Sequence, residues 1–104
     1  MANVNPPVKN QAWSCDWSVE DYANPGKFKD NPTLAAGDVQ VSKDNGAYAN
    51  LTTLPSAAPA GSENLNVVTT ATEMNADKVT IRFRDQTAPP EWSETKITIL
   101  TTTA

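Results

Sequence analysis

The sequence of 104 residues contains no histidine and one cysteine, Cys15. Without histidine, every mechanism that uses an imidazole base, proton shuttle or metal ligand is excluded. A single cysteine excludes an intramolecular disulfide and a zinc site built from thiolates. Only four glycines are present, and their scattered positions cannot form either of the glycine-rich loops that bind phosphates. Most familiar active sites, and the use of nucleotides, are therefore not supported.

Long apolar segments are also missing. No apolar run approaches the roughly 20 residues that a membrane span needs, and residues 1–7 lack the basic and apolar regions of a secretory signal. Eight Lys and Arg against twelve Asp and Glu give a net charge of −4, which leaves no electrostatic footprint for nucleic acid or an anionic membrane. We therefore expect synthesis in a cytoplasm and neither nucleic acid nor membrane as a partner.

What is present is typical of short strands joined by turns. The length suits one domain, and eight prolines and thirteen threonines accompany a hydrophobic content of 38%. Apolar and polar residues alternate in five segments, which predict strands: Trp13 to Val19, Val39 to Ser42, Leu65 to Thr70, Lys78 to Arg84 and Trp92 to Thr101. Six or seven short strands without long helical patterns favour an antiparallel sandwich or a small barrel.

The segments between these strands have their own signals. Residues 1–11 are polar, contain Pro6-Pro7 and predict an extended arm, which leaves residues 12–104 as a single β-domain. Asn45-Gly46 predicts the two central residues of a hairpin turn, because both tolerate a positive φ, and Ala47-Tyr48-Ala49 should then return antiparallel. The segment from Ala71 to Ala76 has room for one helical turn, and we expect Met74 to fill one end of the core.

Two clusters of polar residues and one cysteine are the candidates for catalysis or metal binding. Asp85, Glu91 and Glu94 cluster near one turn and could serve a hydrolase as paired carboxylates, but a solvated surface is the better interpretation. Asp38, Asp44 and Asn45 form the one oxygen-rich group, yet the two aspartates fall about 20 Å apart at opposite ends of one strand. Because Cys15 stands on the apolar side of a strand without a base, we expect a small core side chain. The sequence thus predicts no enzyme, no metal and no cofactor.

The aromatic residues leave one further hypothesis. Trp13, Trp17, Tyr48 and Trp92 could form a platform that stacks on sugar rings or a protein contact. The alternative is that Trp17 and Trp92 belong to the core, because a small sandwich depends on large side chains for its burial. Trp13, which lies next to the proline-containing arm, is then the better candidate for a surface contact.

Residues 34–103 contain phrases that resemble a module of tailed-phage and prophage structural proteins. These phrases are Ala35-Ala36-Gly37-Asp38-Val39-Gln40-Val41-Ser42-Lys43-Asp44-Asn45-Gly46-Ala47-Tyr48-Ala49-Asn50-Leu51, then Leu54-Pro55, then Ala71-Thr72-Glu73-Met74-Asn75-Ala76-Asp77. Asn45 stands where many related modules have glycine, which keeps the turn chemistry. The resemblance implies an all-β, antiparallel immunoglobulin-like β-sandwich on a virion.

The resemblance also implies a function. It predicts a structural virion protein, first of all a head decoration subunit that binds the major capsid protein or other virion subunits without catalysis. A homo-oligomer on the particle is a further expectation. The alternatives are a neck, tail or fibre accessory subunit, or a small carbohydrate- or receptor-binding module. For the partner interface we select the arm and its neighbour, namely Val4, Pro6, Pro7, Val8 and Trp13.

Overall fold

A computed structural model describes residues 7–103 of the chain. In this range the backbone forms seven strands and no helix. The strands are β1 (Trp13–Trp17), β2 (Val39–Lys43), β3 (Ala49–Asn50), β4 (Ser56–Ala57), β5 (Leu65–Thr69), β6 (Lys78–Phe83) and β7 (Thr95–Leu100). All five segments with alternating polarity contain a strand, and the two remaining strands are only two residues long.

The strands are arranged in two sheets. One has the order β1-β5-β4 and the other the order β3-β2-β6-β7, and all neighbours within each sheet are antiparallel. In immunoglobulin-like sandwiches, strands B, E and D share one sheet, while C′, C, F and G share the other. The observed order is the same when β1 is equated with strand B. The predicted all-β, antiparallel sandwich of six or seven strands is therefore confirmed, and its strand order is compatible with the expected immunoglobulin-like type.

The core lies between the two sheets and is built by alternate residues. Leu65 and Val67 from β5 meet Val79, Ile81 and Phe83 from β6, and all five side chains are 0% exposed. Each such side chain contributes about 1.5–3 kcal/mol through its removal from water. These are the residues that the period-two pattern assigned to the inner faces. Strict alternation therefore fixes which face of each central strand is buried.

Two large side chains outside the strands complete this core. Met74, in the turn between β5 and β6, is 0% exposed, as predicted for a residue that fills one end of the core. Trp92 is 1% exposed and forms an isolated bridge with Asp21 rather than the start of the last strand. The last strand begins at Thr95, because the backbone of Trp92 pairs with the loop that follows β1.

The hairpin turn lies one residue earlier than predicted. Its central residues are Asp44 and Asn45, at φ 50° and 63°, and the Gly46 amide donates to the Lys43 carbonyl at 2.9 Å. Aspartate and asparagine are the residues besides glycine that adopt this region most readily. The carboxylate of Asp44 also accepts a hydrogen bond from the Lys78 amide at 3.0 Å. This contact with β6 selects the earlier turn.

The outer face of the four-stranded sheet is less exposed than alternation indicates. Thr80 was expected to face water, yet it is 9% exposed. It lies between Ser42 and Thr98 of the neighbouring strands, and of these two Ser42 is also buried, at 4%, whereas Thr98 is exposed. Burial on this face is confined to the middle of the sheet, because Leu100 at the end of β7 is 70% exposed.

Candidate functional site

The described end of the N-terminal arm is fixed beside the end of the last strand. Val8 and Thr102 form a parallel bridge. The Thr102 amide donates to the Pro7 carbonyl at 2.9 Å, and the Lys9 amide donates to the Thr102 carbonyl at 2.7 Å. An ion pair of 3.2 Å between Lys9 and Asp77 adds a side-chain contact. Pro7 and Val8, both selected as interface residues, are half-buried at this edge.

The other three selected interface residues have different positions. Val4 and Pro6 lie outside the described residues. Trp13 begins β1, where it pairs with Thr69, and the Thr69 hydroxyl donates to the Trp13 carbonyl at 3.0 Å. Its side chain is half-buried and packs against the core. The structure therefore places Trp13 on the three-stranded sheet, and Pro7 and Val8 beside the four-stranded sheet.

The aromatic residues named for a platform do not share one exposed surface. Trp92 is buried, and Trp17 stacks on Phe83 with ring centroids 6.4 Å apart. Tyr48 lies under the guanidinium of Arg82. Trp92 is therefore a core residue, as the structural alternative held, and Trp17 is half-buried against the core.

The exposed aromatic side chains are two that sequence reasoning passed over. Tyr22 is 52% and Phe28 61% exposed. Both lie in the turn-rich stretch after β1, where prolines and asparagines remove any periodic pattern, so the sequence held no signal for them. Phe28 is held near β1 by a bridge to Glu20. It lines a shallow groove of about 330 Å³ together with Asp16, Trp17, Ser18 and Asn64.

The carboxylates considered for catalysis bind backbone groups instead. Asp85 accepts hydrogen bonds from the Thr87 amide at 3.0 Å and from the Glu91 amide at 2.6 Å. Glu91 accepts one from the Thr33 amide at 3.0 Å. These bonds fix the loop between β6 and β7 and join it to the loop between β1 and β2. Asp85 and Glu91 thus lie together as supports of loops, and Glu94 lines the same shallow surface pocket as Asp85.

The pKa of Asp85 changes in the direction opposite to that of a general acid. Partial burial alone would raise this pKa, but hydrogen bonds from the Glu91 amide and from the amide and hydroxyl of Thr87 outweigh it. The pKa therefore lies below its usual value. A carboxyl group that donates a proton near neutral pH needs a raised pKa. The geometry at Asp85 favours a permanently ionised support.

Cys15 is a poor nucleophile in this environment. It is half-buried between Trp13 and Trp17 on β1 and packs against the core. Burial, with a smaller contribution from the negative charge of Asp16, raises the pKa of its thiol to about 11. Because the thiolate is the reactive form, this pKa keeps the side chain protonated at neutral pH.

The oxygen-rich residues around β2 also have structural partners. Asp38 is 4% exposed, and its carboxylate accepts hydrogen bonds from the Ala35 amide at 2.9 Å and the Gln86 amide at 3.3 Å. Asp44 lies at the other end of β2 in the hairpin turn. Within residues 7–103, no three His, Cys, Asp or Glu side chains are grouped to hold a metal ion.

A second groove lies on the outer face of the four-stranded sheet. It has a volume of about 340 Å³ and is lined by Tyr48, Arg82, Glu94, Thr95 and Lys96. The Arg82 guanidinium carbon lies 3.9 Å from the centre of the Tyr48 ring. This groove combines cations with an aromatic ring, whereas the groove at Phe28 combines two aromatic rings with a polar rim.

Comparison with known protein families, curated proteins and solved structures found no match for this chain. In the described part of the chain, no helix has the length and apolar character that crossing a membrane requires. The candidate surfaces therefore rest on their own geometry.

Proposed function

We propose that the protein is a structural subunit of a tailed-phage virion that decorates the head and acts by contact with other proteins. Two arguments support this function. Residues 34–103 resemble modules of such virion proteins, and the fold is the sandwich that this resemblance implies. The carboxylates that a hydrolase would need are instead bonded to loop backbones.

The observation that carries the proposal is the anchor of the arm. Pro7 and Lys9 bond to Thr102 at both of its backbone groups, so the described end of the arm is fixed at a defined point beside the four-stranded sheet. A terminal segment that starts from a fixed point adds contact area to a small subunit without a second domain. We expect the partner to be the major capsid protein or another virion subunit.

The test is quantitative mass spectrometry of purified particles from the phage or prophage that carries the gene. Amounts close to those of the major capsid protein support head decoration. A handful to a few tens of copies per particle would move the subunit to the neck, tail or fibre. Absence from washed particles would contradict a virion role.

The interface assignment has its own test on stripped particles. A variant without residues 2–6 keeps the bonds of Pro7 and Lys9 to Thr102, so its fold should be unchanged. We expect it to lose binding to particles that lack the wild-type protein. A matched substitution far from the arm, Lys27→Gln, should retain binding. If the deletion variant still binds, residues 2–6 are not part of the interface.

A carbohydrate- or receptor-binding module is the second candidate. The groove at Phe28 favours it, because two aromatic rings stand beside Asp16, Ser18 and Asn64, and aromatic faces stack on sugar rings. Quenching or a shift of tryptophan fluorescence on addition of host cell-surface polysaccharide, abolished by Phe28→Ala, would support this function. An unchanged spectrum at saturating polysaccharide argues against it.

A further inference from the structure

Half of the positive charges of this acidic chain lie on the strands of one sheet. The strands of the four-stranded sheet contain Lys43, Lys78, Arg82 and Lys96 and no acidic residue. The strands of the other sheet contain one aspartate and no basic residue. With a net charge of −4 for the whole chain, the two sheets have opposite electrostatic character.

Arg82 lies in a polar row that crosses the outer face of this sheet. Its register partners are Gln40 on β2 and Lys96 on β7, and Gln40 in turn pairs with Asn50 on β3. On β6 the neighbours of Arg82, Ile81 and Phe83, are buried in the core, so Arg82 lies on the opposite, outer face of the strand. The row is therefore a continuous polar strip that all four strands supply.

Two cations stand directly opposite each other in this row, and neither forms a close ion pair with a described residue. Like charges in cross-strand positions destabilise a sheet. Among residues 7–103, the single ion pair closer than 4.0 Å joins Lys9 and Asp77, so neither Arg82 nor Lys96 has one. The Nε of Arg82 is also buried and has no hydrogen-bond partner. An anion that lies between the two side chains would relieve the repulsion between Arg82 and Lys96.

The guanidinium group is held in place before any ligand arrives. It lies over the Tyr48 ring at 3.9 Å, and its Nη2 donates to the Gln40 side-chain oxygen. The Gln40 amide nitrogen donates to Asn50 Oδ1 at 3.1 Å. A planar guanidinium presents a fork of donors that matches a carboxylate. Because this fork is already ordered, binding costs little side-chain entropy.

We propose that the groove between Tyr48, Arg82 and Lys96 binds a carboxylate side chain from an acidic segment of a partner protein. The alternative anion, a nucleic acid, is less suitable, since its binding depends on Lys and Arg side chains that neutralise several phosphates and this groove offers two cations on an acidic chain. The proposal rests on the proposed structural role and specifies that the partner protein presents an acidic segment.

Glu94 provides an internal check on this proposal. It lines the same groove yet forms no ion pair closer than 4.0 Å within the described part of the chain. Its negative charge therefore repels an incoming carboxylate and offsets part of the positive charge of Arg82 and Lys96. Removal of this charge should strengthen binding, whereas a groove with no ligand would give no such response.

The experiment is a fluorescence-anisotropy titration of a labelled hexaglutamate peptide with the full chain at low ionic strength. We expect saturable binding with one site per chain. Arg82→Gln and Lys96→Gln should each weaken it about tenfold, because each removes a charge-assisted contact. Arg82→Lys should also weaken binding, since it keeps the charge but loses the fork. Glu94→Gln should tighten binding.

The matched control is a double variant, Lys27→Gln with Lys29→Gln, which removes two positive charges from a loop outside the groove. It should change the affinity less than about twofold. An equal loss of affinity in this control would show general charge attraction and would overturn the proposal. An unchanged affinity of Lys96→Gln would also overturn it, because the exposed Lys96 side chain can be replaced without loss of fold. Tighter binding of a short DNA duplex than of hexaglutamate would also overturn it. Because no particle is used, this result is independent of the virion assignment.

Discussion

Thr70 and Glu73 cap each other in the single turn between β5 and β6. The Thr70 amide donates to the Glu73 carboxylate at 2.8 Å, and the Glu73 amide donates to the Thr70 hydroxyl at 3.2 Å. This is the reciprocal arrangement of a capping box. The second carboxylate oxygen accepts a hydrogen bond from the Thr52 amide at 2.7 Å. One buried carboxylate therefore joins the turn to the segment that follows β3.

Replacement of this carboxylate should destabilise the fold strongly. Glu73 is 7% exposed, so Glu73→Ala leaves the amides of Thr52 and Thr70 without their charged acceptor. We expect the free energy of unfolding, measured in urea titrations, to fall by about 2–3 kcal/mol. The stability of Glu73→Gln should lie between those of the wild type and Glu73→Ala, because the Gln side chain keeps one acceptor oxygen. Glu63→Ala, which removes a carboxylate with no described hydrogen bond, is the control and should change stability by less than about 0.5 kcal/mol. Equal effects at both sites would contradict the role of Glu73.

The same substitution at two phenylalanines should separate the core from the surface. Phe83 is 0% exposed and Phe28 is 61% exposed. We expect Phe83→Ala to cost about 3–5 kcal/mol through the lost burial and the cavity left behind. Phe28→Ala should cost less than about 0.5 kcal/mol. Thermal and urea unfolding of both variants measures the difference, and a large loss of stability at Phe28 would show that its loop supports the fold.

The sequence predicts the parts of this fold that depend on local patterns. Strict alternation assigned Leu65, Val67, Val79, Ile81 and Phe83 to the core, because each central strand has one inner face. The two-residue strands β3 and β4 are too short to show a period. The hairpin signal nevertheless predicts an antiparallel return near Ala49, where β3 pairs with β2. The position of β4 is set by its pairing with β5, which no local pattern shows.

Contacts between distant segments could not be predicted in the same way. The contact between Arg82 and Tyr48 joins β6 to the hairpin after β2, and the bond from Thr52 to Glu73 joins residues 21 positions apart. To predict either contact, one would need to know the register of the strands and the conformation of the loops that connect them. The cluster at Asp85 and Glu91 was visible because one short turn contains both residues, but its hydrogen-bond partners were not.

Asp85 should contribute to stability in a manner that depends on pH. Its pKa is lowered in the folded state because, although burial opposes this, the amides of Glu91 and Thr87 bond to the ionised form. The stabilisation is therefore complete above the unfolded pKa, about 3.9, and is lost as the pH falls through the lower folded pKa. We expect urea titrations to show a free energy of unfolding that declines below about pH 4.

Asp85→Asn tests this assignment. The variant should be less stable than the wild type near neutral pH and should lose less stability on acidification. Part of the acid dependence should remain, because the pKa of Asp21 is also lowered, mainly by its hydrogen bond with the Asn24 side chain. Glu63→Gln, at a carboxylate without a described hydrogen bond, should keep the wild-type slope. Parallel pH profiles for Asp85→Asn and the wild type would contradict the role of Asp85.

Cys15 should react slowly with alkylating reagents until the protein unfolds. Burial and the charge of Asp16 raise its thiol pKa from 9.0 to about 11, which reduces the thiolate fraction near pH 8 by about two orders of magnitude. We expect iodoacetamide to modify the folded protein at least tenfold more slowly than the protein in urea, as measured by mass spectrometry. Asp16→Asn should increase the folded-state rate modestly, because the charge of Asp16 is the smaller of the two causes. Equal rates in the folded and unfolded protein would show that the thiol is neither shielded nor held protonated by the sandwich.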